Sequence, residues 1–196
     1  MLAPTTTHVS LLARLVDKSD EAAWREFSER YGEMIANVGR RWGLQPTDCD
    51  DLVQEVLLAL SKAMQGFEYQ PEKGKFRAYL KTITLHAIAR VSRQRAVAGQ
   101  LEVMDTPCAA ANCLDSNEGA WEEEWRANHV RRAMQVIEVE FSGPQLRAFQ
   151  RYAVEGAEAQ AVAEASNLTV NQVYQAKSRI LKRLTELVQE QVDDEG

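Results

Sequence analysis

Cysteine is scarce in this chain: Cys49, Cys108 and Cys113 make an odd number, and their spacing fits no zinc or disulfide framework. The three histidines, His8, His86 and His129, are scattered, so no metal-ligand cluster is available, and each is expected at the surface or in a linker. No phosphate-binding glycine loop and no nucleophile beside a base occur, which argues against an enzyme; neither metal nor cofactor is expected. No apolar run approaches the roughly 20 residues that span a bilayer. The N-terminus MLAPTTTHVSLLARL lacks a basic start followed by a long apolar segment, so a cytoplasmic location with no membrane partner is expected. Alternation with period two is missing as well, which leaves no signal for strands.

What is present is helical spacing almost throughout, and 45% hydrophobic residues over 196 positions are ample for a core. The pattern predicts an all-α chain of two small helical domains, 1–95 and 120–196, joined by a flexible linker over 96–119. A short helix near Val9 to Val16 comes first. Ser19 and Asp20 then cap a long helix with Trp24, Phe27, Tyr31, Ile35, Val38 and Trp42 inward, ending near Gly43. Pro46 restarts the chain into a helix facing inward with Leu52, Val53, Val56, Leu57, Leu60 and Met64. After the loop FEYQPEKGK, a further helix turns Phe76, Tyr79, Leu80, Ile83, Ala87 and Val91 to the core. Residues 96–119 are small and acidic, poor material for burial. The second domain is expected to open at Trp121 and Trp125, break at Ser142, Gly143 and Pro144, and resume through Leu146, Phe149 and Tyr152. Its last helix should bury Val170, Val173, Ile180, Leu181, Leu184, Leu187 and Val188, with a frayed VDDEG tail.

The net charge of −6 argues against a nucleic-acid partner only until it is located. Between Ala96 and Asn128 lie seven acids and one base, which account for the whole excess. Lys73 to Arg95 holds seven bases and no acid, and Lys177, Arg179, Lys182 and Arg183 form a second acid-free stretch. These two patches are the candidate phosphate contacts.

Near the C-terminus, Ala163, Ser166, Asn167 and Leu168 fit the tight turn of a helix-turn-helix, whose second helix enters the major groove with its first residues against base edges. Thr169 caps that helix. Asn171, Gln172 and Gln175 are then placed to read bases, and Lys177, Ser178, Arg179, Lys182 and Arg183 to meet phosphates. A packed hairpin with a solvated basic face has the same pattern. In the first domain, Phe67, Tyr69, Phe76 and Tyr79 interleave with Lys73, Lys75, Arg77 and Lys81. Rings among cations suit single-stranded DNA, because bases stack while the backbone follows the charge. The alternative is that Phe76 and Tyr79 are core. Upstream, DDLVQEVLLAL sets Asp50, Asp51, Gln54 and Glu55 on a polar stripe, which acidic capping of a core helix also explains.

Four segments, LLARLVDKSDEAAWREFSERYGEMI, DLVQEVLLAL, GKFRAYLKTITLHAIARVSRQR and VEGAEAQAVAEASNLTVNQVYQAKSRILKRL, resemble in order the conserved regions of bacterial sigma factors of the extracytoplasmic-function class. The resemblance implies core RNA polymerase as partner, through its β′ clamp helices and β flap, and promoter DNA. It implies that Asp50, Asp51, Leu52, Gln54, Glu55 and Leu58 dock on the clamp helices. Phe67, Tyr69, Lys73, Lys75, Phe76, Arg77, Tyr79 and Lys81 would bind and melt the −10 element, with His86, Arg90, Arg93 and Arg95 on duplex phosphates. The last helix, with Thr169, Asn171, Gln172, Gln175, Lys177, Ser178, Arg179, Lys182 and Arg183, would read the −35 element. Such factors are often held by an antagonist, so the resemblance admits an anti-sigma partner. In the last helix this chain reads VYQAKSRILKRL where many relatives carry a more basic run.

Two rivals stand beside a sigma factor. A stand-alone helix-turn-helix regulator leaves DDLVQEV and the aromatic loop unexplained. A sigma-like decoy that occupies polymerase without opening DNA has no need of Phe67 and Tyr69.

Overall fold

The computed structural model describes residues 8–64, 76–97 and 118–195, and every regular element among them is helical. The all-α expectation is met, and the chain divides into two units, one of residues up to Asn128 and one of His129–Asp193.

In the first unit, α1 (His8–Leu15) leads into α2 (Glu21–Arg41) through the fork of Arg14, which donates to both carboxylate oxygens of Asp20 at 2.9 and 3.1 Å. Asp20 also accepts from the Ala23 N–H at 2.9 Å and so caps α2 as its sequence foretold. The hydrogen bond from Arg14, followed by that cap, holds the Asp20 carboxyl below its ordinary pKa. Gly43, at φ 81°, ends the helix in a conformation that a side chain would strain. Pro46 starts α3 (Pro46–Ala63), where Asp48 accepts from the Gln45 N–H at 3.1 Å. α3 packs against both α2 and α4 (Phe76–Val97). A Cβ added at Gly39 would stand 2.7 Å from Leu52 Cδ2, so the glycine is what lets α2 and α3 approach this closely.

The core of this unit gathers Leu11, Leu15, Phe27, Tyr31, Met34, Leu52, Val56, Leu60, Phe76 and Leu80, and then recruits Trp121 and Trp125 from α5 (Glu118–Glu140). Both indoles are nearly sealed, at 2% and 5% exposure. Trp125 stacks on Tyr31 at 5.9 Å between centroids and 23° between planes, and Trp121 sits 5.7 Å from Trp125. Asn128 fixes the end of this stretch by donating to the Arg30 carbonyl at 3.2 Å. The expectation placed Trp121 and Trp125 at the start of the second domain; the structure places both in the first core. The composition of 96–119 sets the expected boundary just before these tryptophans, and nothing local in sequence shows the cations of the first unit that meet the acids beside them.

The second unit comprises the end of α5, then α6 (Gly143–Phe149), a one-turn π-helical segment (Gln150–Val154), α7 (Ala159–Ser166) and α8 (Val170–Glu195). Ala133, Ile137, Phe149, Ile180 and Leu187 make one cluster, and Ala148, Val162, Ala163 and Val173 another. Asn167 closes α7 in the left-handed region at φ 54°, with the Leu168 N–H returning to the Ala163 carbonyl at 2.9 Å. The SNL turn is thus formed by the residue type that tolerates it. Three expectations change. His129 is buried at 4% exposure, within 3.2 Å of the Gln191 side-chain oxygen. Leu181 is 41% exposed, because Ile180 takes the inward position beside it. The VDDE stretch stays helical to Glu195, aided by Gln189 donating to Asp193 at 2.8 Å.

Candidate nucleic-acid interface

On α3, Asp50, Asp51, Gln54 and Leu58 face outward, and Leu58 is 55% exposed although it is a leucine. Leu52 is different. It lies in the row Leu52, Val56, Leu60 and is fully buried, which removes it from any docking surface. Glu55 is half-buried and pairs with Arg90 of α4 at 3.0 Å, while Asp48 holds Arg95 at 2.6 Å. Two of the cations expected on phosphates are therefore engaged by acids of the helix expected on polymerase. The pairing is local charge complementarity between adjacent helices, invisible to a count along the chain.

At the start of α4, Phe76 is buried against Phe27 and Tyr31, so it is core. Tyr79 is half-buried beside it, and burial raises its phenol pKa above the ordinary value. Arg77 pairs with Glu122 and lies over the Trp125 ring, 5.2 Å from its centroid. Glu124, itself buried, accepts from Asn37 at 2.7 Å, and Glu123 pairs with Arg41 at 2.7 Å. The acids of α5 thus answer cations of α2 and α4. His86 and Arg93 are exposed on α4, and Lys81 is half-buried. Phe67, Tyr69, Lys73 and Lys75 lie outside the described residues, as do Cys108, Cys113 and most of the expected linker.

In the second unit, the Thr169 N–H donates to Gln172 Oε1 at 2.8 Å, and the Gln172 N–H to Thr169 Oγ1 at 3.2 Å. This reciprocal capping box engages the Gln172 amide oxygen that the expectation assigned to bases. Arg183 is likewise engaged: it donates to both oxygens of Glu140 at 2.9 Å and lies near Glu186 and Glu190. Its hydrogen bonds hold the Glu140 carboxyl below its usual pKa. Arg183 therefore clamps α8 to the end of α5 within this unit and is not a free phosphate contact. Asn171, Gln175, Ser178, Arg179 and Lys182 remain on exposed surface of α8, and Lys177 is half-buried with its ammonium 5.1 Å from the Tyr152 ring. The sequence reading passed over Tyr174, which is 48% exposed one residue before Gln175; its place three residues after Asn171 was the available signal.

Residues 27–97 match the model of the family described as Sigma-70 region 2. The chain is 30% identical over 86 residues to the RNA polymerase sigma factor NccH of Alcaligenes xylosoxydans xylosoxydans, a match covering 44% of this chain and 45% of that protein. It is 31% identical over 87 residues to the RNA polymerase sigma factor CnrH of Cupriavidus metallidurans, covering 44% of each. The matched stretch thus spans less than half the length of these curated relatives. A solved structure, that of CnrH in complex with the cytosolic domain of CnrY, superposes over 94% of this chain and 98% of that one at 20% identity and a TM-score of 0.39. Over residues 27–97, then, this chain is similar to the Sigma-70 region 2 family, and over a stretch of like length to two RNA polymerase sigma factors.

Proposed function

We propose that this chain is a sigma factor of the extracytoplasmic-function class, which binds core RNA polymerase and directs it to promoters carrying paired −10 and −35 elements. The observation that carries the reading is the outward face of α3, where Asp50, Asp51, Gln54 and the unpartnered apolar Leu58 project from a region 2 domain. A charged rim around one exposed leucine suits docking on another protein. The first unit serves polymerase docking and −10 melting, and the second serves −35 recognition through α8. The chain acts in the cytoplasm as a non-enzymatic DNA-binding regulator, with an anti-sigma antagonist as a further partner. No described helix is long and apolar enough to cross a membrane.

The pairs Arg90–Glu55 and Arg95–Asp48 also bear on the free factor. With those cations engaged, promoter binding without polymerase is expected to be weak. Run-off transcription with core polymerase on a genomic promoter library tests the proposal. New start sites sharing paired upstream elements are expected; tight core binding without new starts would favour the decoy, and no core binding the stand-alone regulator. At finer resolution, Arg179→Ala should weaken holoenzyme binding to such a promoter and make the plot of log affinity against log salt shallower by about 0.9, the loss of one phosphate contact. An unchanged slope would place Arg179 off the DNA.

A further inference from the structure

The geometry points to Tyr174 as a specificity residue whose ring contacts a thymine C5-methyl group in the major groove of the upstream promoter element. This rests on the assignment of α8 to that element. Val173 and Ala176 are buried on the inner side of α8, which leaves Asn171, Tyr174, Gln175 and Ser178 on a continuous outward face. An aromatic ring left in water on that face, flanked by amides, has no packing role that its exposure explains. It is nonetheless held. The Tyr152 ring stands 5.5 Å from it at 59°, a tilted aromatic contact, and Lys177 places its ammonium 5.1 Å from the Tyr152 centroid. Tyr152 itself comes from the π-helical turn, whose wider repeat shifts it from the register that α6 alone would set. Tyr174 is therefore propped before DNA arrives, and a positioned ring loses little rotamer freedom on contact.

The major groove offers this ring one apolar feature, the methyl group that distinguishes thymine; its other features are donors and acceptors. Those suit Asn171 and Gln175, while the side-chain oxygen of Gln172 is taken by the cap of its own helix. The division of labour is thus chemical: amides for base edges, the ring for a methyl. Phe in place of Tyr174 should keep the contact, and Ala should lose it, without either change disturbing the buried side of α8.

The test uses the full chain with core polymerase on a promoter obtained by run-off. Each thymine of the upstream element is replaced singly by deoxyuridine, which removes only the methyl. One replacement is expected to weaken wild-type holoenzyme binding about fourfold, the burial of one methyl. Tyr174→Phe should respond equally, and Tyr174→Ala should be indifferent to that replacement while melting at the wild-type temperature. Dependence on the element with no uracil effect, or a uracil effect that persists in Tyr174→Ala, overturns the assignment of Tyr174 alone. No dependence on any upstream element overturns the parent assignment of α8, and this one with it.

Discussion

Trp125→Ala will lower the stability of the first helical unit by about 3–5 kcal/mol, the range for truncating a large buried aromatic. The indole is 5% exposed, stacked on Tyr31 and in contact with Arg77 and Trp121. Its surroundings are other rings held by the core, so the void left behind cannot readily collapse. The ion pairs of the same helix are a much smaller effect. Arg41 and Glu123 are 42% and 66% exposed at their side chains, and such pairs contribute below about 1 kcal/mol. Glu123→Gln should therefore be nearly silent where Trp125→Ala is severe. Because a chain of two units need not unfold in one step, the measurement of choice is native-state hydrogen exchange. Amides of α2 and α4 should lose protection in Trp125→Ala while those of α7 and α8 keep theirs. Loss confined to α7 and α8 would return the tryptophans to the second domain.

A second large effect is expected at α3. Asp51→Ala combined with Gln54→Ala and Leu58→Ala should reduce affinity for core polymerase by about 30-fold or more, since three contacts of one face are lost together and a loss of about 2 kcal/mol is about 30-fold. The fold should hardly notice, because substitutions on exposed helix positions usually stay within about 0.5 kcal/mol. Leu52→Ala supplies the contrast. Six positions from Leu58 but fully buried, it should destabilise the unit by about 2–5 kcal/mol and weaken polymerase binding only through unfolding. Pull-down against core polymerase, read beside thermal melting, separates the two. Unchanged core affinity in the triple variant, with melting intact, would remove α3 from the docking surface.

These contrasts mark where the sequence was readable. The helices with one clean apolar row, such as Phe27, Tyr31, Ile35 and Val38 on α2, were legible because apolar side chains recurring every 3.6 residues share a face only on an α-helix. Caps at Asp20 and Thr169 and the turn at Asn167 were legible for a similarly local reason. What failed was long-range. Nothing adjacent in sequence to Glu122, Glu123 and Glu124 reveals that Arg77, Arg41 and Asn37 await them. Nothing near Arg183 reveals Glu140. Likewise His129 read as incidental because its partner Gln191 lies at the far end of α8. For the candidate surfaces the lesson is sharper: a basic stretch names the cations, but only the fold says which of them are already engaged.

The position of Trp121 and Trp125 finally bears on where this chain can be cut. A fragment ending at Val97 contains the whole stretch matched as region 2, yet it would present the ring of Tyr31 and the guanidinium of Arg77 to solvent, stripped of their indole cover. Such a piece has the makings of an inclusion body. Carried through Asn128, the same fragment brings its own lid.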